Sequence, residues 1–297
     1  MRIMLTGRNG QVGWELRRAL APLGDVVAFD RNEADLAKPE TLAKLVASVR
    51  PHVIVNAAAY TAVDNAETET ALANRVNAEA VGVLAEAARA QNALMVHYST
   101  DYVFDGSSST PYVELDPVAP LNAYGASKLA GERAIENVAG DWLTLRTTWV
   151  YGPRGRNFLR TMLRVAGERD SLRVVADQTG APTSARMIAD LTAHVVAQAQ
   201  RERTAGEFES GLFHMTAAGQ TTWHGFASAI IEGARASGKM AIKATSIEPI
   251  ASDEYPTPAR RPQYSMLDND KFDRRFRLGR LDWREGLALA LDDLLGQ

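Results

Sequence analysis

The chain has 297 residues, 46% of them hydrophobic and 23% charged, with a formal net charge of −3. That is the make-up of a globular protein with one large or two modest cores, and it excludes disordered and fibrous classes. Charge is spread without long single-sign blocks, and the nearest basic cluster, Arg260-Arg261, is too short for a polyanion surface, so no nucleic-acid partner is expected. The absence of cysteine excludes disulfides, thiolate metal sites and a cysteine nucleophile. The apolar stretch in residues 1–7 is too short for a signal peptide, and no run approaches the ~18 apolar residues of a membrane span. A cytoplasmic protein with no membrane partner is expected.

In chain order, short apolar runs predict buried parallel strands over 3–6, 26–29, 53–56, 94–98 and 143–146. Between them, segments rich in Ala, Leu and Glu predict helices over 14–23, 39–49, 70–90 and 124–138. This alternation predicts an α/β fold, a Rossmann-type doubly wound parallel sheet over residues 1–150. Beyond 150 the alternation loosens, and prolines at 153, 182, 249, 256, 258 and 262 punctuate shorter elements. Residues 151–297 are expected to form mainly a smaller α/β substrate lobe, with some segments returning to the sheet.

The first strand runs into Gly7-Arg8-Asn9-Gly10-Gln11-Val12-Gly13 and then a helix, a close variant of the dinucleotide fingerprint. Gly7 and Gly10 let the backbone turn and approach a pyrophosphate, Gly13 lets helix and strand pack closely, and Gln11 and Val12 open the helix whose free N–H groups attract negative charge. Asp30 ends the second strand ~20 residues on, where an acid receives the adenosine ribose. Arg31 beside it suits a 2′-phosphate, so NADH and NADPH both stay open. Asp35 and Leu36 suit an adenine contact. After the third strand, Ala57-Ala58-Ala59-Tyr60-Thr61 offers small residues where a dinucleotide crosses the strand ends, with a plain tight turn as the alternative for any one alanine.

Tyr98-Ser99-Thr100-Asp101 ends the fourth strand, the edge at which open parallel sheets hold ligands. Tyr124 and Lys128, four residues apart on a predicted helix, share one face. Tyr124 is expected to be the general acid that protonates a carbonyl oxygen as hydride arrives from a nicotinamide. Lys128 is expected to lower the phenol's pKa and grip the nicotinamide ribose, and Thr100 to complete the donor pair at the developing alkoxide. Thr100 bonded only to its own backbone is the structural alternative.

The Gly7 loop, Asn56-Ala57-Ala58-Ala59, Ser99-Thr100-Asp101-Tyr102-Val103-Phe104, Tyr124-Gly125-x-x-Lys128 and Arg146-Thr147-x-Trp149-Val150-Tyr151 resemble the extended short-chain dehydrogenase/reductase family. Asn157-Phe158, Asp177-Gln178-x-Gly180-Ala181-Pro182-Thr183 and the 255–262 segment extend the likeness over nearly the whole chain. They are similar to the branch that reduces the 4-keto group of a dTDP-6-deoxyhexulose to give dTDP-L-rhamnose for surface polysaccharides. The resemblance implies NADPH or NADH as cofactor and a dTDP-sugar as substrate, with Tyr98, Thr100, Asp101, Tyr124, Lys128 and Trp149 at the reaction centre. Trp149 is expected to present an apolar ring face to the sugar. For Arg260, contact with the diphosphate and plain solvent exposure are equal alternatives. Some members of the family bind magnesium through glutamates at a dimer interface. Glu15 matches one of these, but Arg186 stands where another is expected, which argues against a metal-bridged dimer and for a monomer or weak homodimer.

Related 4,6-dehydratases use an Asp-Glu pair after the strand-end threonine, whereas this chain has Asp101-Tyr102. C4-epimerases share the Tyr and Lys, and a non-catalytic NADP-binding regulatory subunit is the reading from a different class.

Overall fold

The computed structural model describes residues 1–296. Its centre is a six-stranded sheet made of β1 (Arg2–Thr6), β2 (Asp25–Phe29), β3 (Val53–Asn56), β4 (Leu94–Thr100), β5 (Trp142–Thr147) and β6 (Gly211–His214). The strand order is β6-β5-β4-β3-β1-β2, and every pairing is parallel. The first five strands are those predicted, β4 running two residues longer, to Thr100.

Alternation along each strand divides the core into two layers, because successive side chains point to opposite faces. Ile3 and Leu5 pack with Val55, Val96 and Leu145 against α1 (Gln11–Ala19) and α6 (Ala185–Ala205), through Leu16, Ile188 and Val195. Met4, Ile54 and Met95 face the other way, onto Leu42 and Val46 of α2 (Leu42–Val49) and Leu84 and Ala88 of α3 (Ala80–Ala90). A sheet covered on both faces explains why its strands read as mainly apolar runs, with buried polar exceptions such as His97 and Arg146, which meet partners.

Three helices differ from expectation. The segment over 39–49 opens with a 3₁₀ turn, Pro39–Thr41, before α2. The segment over 14–23 breaks after Ala19 into a 3₁₀ turn, Ala21–Leu23, because Pro22 has no N–H to continue the ladder. The segment over 70–90 is helical throughout but contains one π-turn, Arg75–Glu79, between Thr70–Asn74 and α3.

The helix α4 (Ala123–Glu136) starts at Asn122, whose side chain accepts from the Gly125 N–H. It lies on the sheet beside α3 and is fixed by a buried ion pair. Arg146 on β5 donates from Nε and Nη2 to the two carboxylate oxygens of Glu132, at 2.9 and 2.7 Å, with 4% and 2% of the side chains exposed.

Beyond β5 come α5 (Phe158–Glu168), α7 (Trp223–Ser237) and α8 (Trp283–Leu295). Ser171–Val175 pairs in parallel with Ser246–Ile250, forming a small sheet apart from the central one. By contrast α6 and β6 belong to the central layers.

Removing one partner of the Glu132–Arg146 pair leaves a charge buried alone. Glu132→Ala should therefore cost about 3–5 kcal/mol of stability, read as a lower urea midpoint at unchanged slope. A loss under about 1 kcal/mol, the scale of an exposed pair, would show that Arg146 had found other solvation.

Candidate active site

The carboxyl ends of β1 to β4 border a cavity of about 780 Å³. Its floor is the glycine loop: Gly7 has φ +76°, and Gly10 caps α1 with no side-chain bond to the helix N–H groups. A Cβ on Gly13 would stand 2.1 Å from the Gly7 carbonyl oxygen, so only glycine lets α1 begin this close to the loop. Free N–H groups at a helix N-terminus suit a pyrophosphate, and the residues present fit a dinucleotide. Gly7, Gly10, Gln11 and Val12 line the cavity, while Gly13 lies behind it as packing.

At the β2 end the same cavity reaches Asp30, Arg31, Asp35 and Leu36. Asp30 accepts from the Asn32 N–H at 2.9 Å and from Arg8 Nη2 at 2.9 Å, contacts that hold its carboxyl below the usual range. Arg8 also bridges to Glu33 at 3.0 Å. The guanidinium paired with Asp30 is thus Arg8, whereas Arg31 is mostly exposed and 3.8 Å from Asp35. Arg8 was legible as a basic residue inside the glycine loop, but nothing in the sequence showed that it would reach across to β2.

At the β3 end, Ala57, Ala59, Tyr60 and Thr61 line the wall. The turn is held by Asn77 of the π-turn, which accepts from the Tyr60 N–H at 2.8 Å and donates to the Tyr60 carbonyl at 3.0 Å and the Ser127 hydroxyl at 2.9 Å. Asn77 carried no sequence signal within its helical run. A π-turn widens one helical turn and is common beside functional sites.

Tyr98, Tyr124 and Lys128 complete the cavity. Lys128 is 3% exposed, and its Nζ donates to the Tyr98 carbonyl at 2.6 Å and faces His97 Nε2 at 3.2 Å. Burial lowers its pKa to about 8, against the pull of Glu132. Burial likewise pushes the Tyr124 phenol up to about 12, opposed by the Thr100 hydroxyl and reinforced by the Asp101 charge. The expectation that Lys128 would depress Tyr124 differs from this balance, because the ammonium is turned toward β4.

Thr100 and Asp101 are buried beside this cavity rather than on its wall. Thr100 Oγ1 accepts from the Tyr102 N–H at 3.2 Å and donates to Asp101 Oδ1 at 3.0 Å, while Asp101 Oδ2 has no partner among the described residues. Burial raises the Asp101 carboxyl to about 6.

A second cavity, of about 880 Å³, is lined by Phe158, Trp223, Arg173, Tyr255, Arg260 and Arg261, among others. The short helix Val63–Ala66 gives Asp64 to this cavity and Asn65 to the first. Arg261 grips the Asp64 carboxylate with two bonds, at 2.8 and 3.0 Å, leaving Arg260 exposed as the freer guanidinium. Trp149, at φ +45°, lines neither cavity. It stacks on Trp223 at 3.6 Å, and Trp223 Nε1 donates to Gln178 Oε1. Trp223 lies 74 positions away in sequence, which is why sequence reasoning missed it.

Glu15 is 6% exposed and accepts from Arg186 Nε at 2.7 Å. Among the described residues, no helix is long and apolar enough to cross a membrane.

A family model described as the RmlD substrate binding domain matches residues 1–295. The chain belongs to this family. It is 59% identical over 298 residues to a dTDP-4-dehydrorhamnose reductase of Burkholderia thailandensis, covering 100% of both. Identity to the enzyme of that name from Escherichia coli is 46%, over 99% of this chain and 98% of the other. A solved dTDP-4-dehydrorhamnose reductase of Bacillus anthracis, in complex with NADP, superposes with a TM-score of 0.88 at 34% identity, over 98% of this chain and 99% of that one.

Family membership and the glycine loop together make Gly13→Ala an informative change. Overpacking of this kind costs ~1–3 kcal/mol, and where it displaces the loop from its binding geometry that is about 5- to 150-fold in affinity. NADPH binding followed by nucleotide fluorescence should weaken by a factor in that range while thermal unfolding stays cooperative. Unchanged affinity would mean that the loop does not carry the pyrophosphate.

Proposed function

We propose that this chain reduces the 4-keto group of dTDP-4-dehydro-L-rhamnose to the alcohol of dTDP-L-rhamnose, as an NAD(P)H-dependent oxidoreductase. The observation that carries this reading is the convergence of Tyr124 and Lys128 on the cavity floored by the glycine loop, in a chain aligned end to end with reductases of that name. Residues 1–150 would hold the cofactor, and residues 151–297 mainly the sugar nucleotide.

The bound reduced nicotinamide supplies a hydride to C4 of the sugar. Everything else is done by this chain. The free N–H groups at the start of α1, at Gln11 and Val12, would hold the pyrophosphate. Asp30 and Arg8 would hold the adenosine ribose, where a carboxylate serves two hydroxyls and a guanidinium serves a 2′-phosphate. The Lys128 ammonium spends one hydrogen on the Tyr98 carbonyl and keeps others for the nicotinamide ribose. Tyr124 gives its phenolic proton to the substrate oxygen, and Thr100 assists only by turning its single hydroxyl hydrogen from Asp101 Oδ1 to that oxygen as charge develops on it. A phenol held near 12 is fully protonated at neutral pH, as an acid must be before it acts. Asp101 and Trp149 would border the sugar, and Arg260 the diphosphate.

The Tyr98 phenol, assigned to the cofactor side, is hydrogen-bonded to the Thr192 hydroxyl at 2.8 Å. That bond turns the hydroxyl toward α6, so the Tyr98 carbonyl is the atom that serves the site, through Lys128.

Tyr124→Phe should lower the reduction rate by about 10²–10⁴ while leaving NADPH affinity within a factor of two. Turnover close to that of the unaltered protein would remove Tyr124 as the acid.

The Glu15–Arg186 pair carries a proposal about metal. A guanidinium 2.7 Å from the carboxylate occupies the direction a cation would take and repels it. The reading is of a monomer or weak homodimer that assembles without magnesium. Chelation with EDTA should alter neither sedimentation nor reductase rate, and a chelator-induced change of mass that magnesium restores would overturn this.

A further inference from the structure

His97 is a buried titratable group to which the reaction scheme gives no task. It is 1% exposed on β4 and lies between Asn56 and Lys128. Its Nδ1 is 3.1 Å from Asn56 Nδ2, and its Nε2 is 3.2 Å from Lys128 Nζ. Which ring nitrogen carries hydrogen is decided by the Asn56 amide, whose orientation is fixed by its other partners. The Ala58 N–H can only donate, and its acceptor, 3.3 Å away, is Asn56 Oδ1. That oxygen also accepts from the Thr6 hydroxyl at 2.6 Å.

The amide NH₂ of Asn56 must then face the ring and donate to Nδ1. A neutral imidazole with Nδ1 accepting carries its hydrogen on Nε2, and this hydrogen points at Lys128. An ammonium has three donors and no acceptor, so donor meets donor. A neutral amine in the same place has a lone pair that accepts the N–H. The neighbour is therefore matched to the deprotonated lysine.

We propose that His97, held as the Nε2–H tautomer by Asn56, is a positioning residue that weakens the hold of Lys128 on its proton and thereby sets the alkaline limit of the reduction. This rests on the reading of Lys128 as the charged partner of Tyr124. Other groups around Lys128 act in known directions. Glu132, one turn along α4, favours the ammonium, but its carboxylate is clamped by Arg146 from β5. The Tyr98 carbonyl favours the ammonium as well. Tyr124 is uncharged at neutral pH, and Asp101 lies beyond the end of β4. Burial works against the charge and lowers the pKa of Lys128, and a His97 Nε2–H facing Nζ at 3.2 Å acts in the same direction. Burial and the Lys128 charge in turn hold His97 well below the usual imidazole range, so its ring stays neutral while the lysine titrates.

Two measurements test this. Nitrogen-15 NMR of the full chain labelled at histidine, with the His97 signals assigned by their loss in His97→Gln, should show a protonated Nε2 and a bare Nδ1 at neutral pH. The opposite tautomer overturns the proposal and leaves the roles of Tyr124 and Lys128 untouched. The second measurement is the pH profile of kcat/KM. In His97→Gln an amide oxygen takes the place of the N–H facing Nζ. In Asn56→Asp a carboxylate accepts from Nδ1–H and leaves Nε2 as the acceptor. Both variants should move the alkaline limb upward by roughly one unit, although they alter different atoms. A limb that stays in place in either folded variant overturns the proposal. A Lys128→Met variant with undiminished rate would instead overturn the underlying reading of the lysine. If neither variant folds, the tautomer in the unaltered chain decides, its His97 signals being assigned there by through-bond correlation to the sequentially assigned backbone.

Discussion

A buried ammonium is the constraint round which this site is arranged. Lys128 is almost wholly removed from water, and an unpaired charge there would be untenable. The sheet answers at the place where β3 ends: the last β3 residue, Asn56, pairs with His97, and β4 continues past it. The Tyr98 carbonyl on that continuation receives Nζ. For the side chain to reach it, α4 must lie flat against the strand ends, and three contacts keep it there. Asn77 holds Ser127, Tyr98 holds Lys128, and Arg146 holds Glu132. Tyr124, one turn ahead of Lys128, is thereby presented to the cavity, its carbonyl accepting from the Ser127 hydroxyl at 2.7 Å.

The same arrangement shows which features a sequence can express. Strands covered on both faces are apolar at most positions, with polar exceptions such as His97 and Arg146 that find buried partners, so β1 to β5 were visible as runs, and the glycine loop was visible because its close approach excludes any side chain. Tyr124 and Lys128 were visible because a helix puts a spacing of four on one face. What stayed hidden depends on partners far apart in sequence. Arg8 and Arg31 are equally basic, and only the path of the loop decides that Arg8 meets Asp30. Trp149 and Trp223 stack because the turn after β5 meets the start of α7. Asn77 reads as an ordinary helical residue until the π-turn directs its amide at Tyr60 and Ser127.

The electrostatics of the centre were less legible than its membership. Charge proximity alone assigns the lysine a depressing effect on the phenol, and residue identities permit nothing finer. In the folded chain desolvation acts on both groups at once, raising the phenol and lowering the lysine, because each loses water in its charged form. The same burial thus drives their proton affinities apart, the phenol to about 12 and the lysine to about 8, from ordinary values that nearly coincide.

The fold is shared with enzymes that do other chemistry on sugar nucleotides, so the distinction must lie in the side chains at the end of β4. An elimination across the sugar ring needs a second acid and base placed next to the strand-end threonine. Asp101 supplies a single carboxyl, buried, bonded to Thr100 and raised to about 6. The next position is Tyr102, whose phenol burial and the Asp101 charge hold protonated well above the usual range. Its ring meets that of Tyr124 edge to face at 5.7 Å, a geometry worth about 0.5–1.5 kcal/mol beyond the area it buries. An aromatic in this place removes the second carboxylate and uses the space to brace the acid that remains. On the proposed assignment the site keeps Tyr124 as the acid for the sugar oxygen and lacks the second carboxylate next to the strand-end threonine, which suits a ketone reduction better than an elimination.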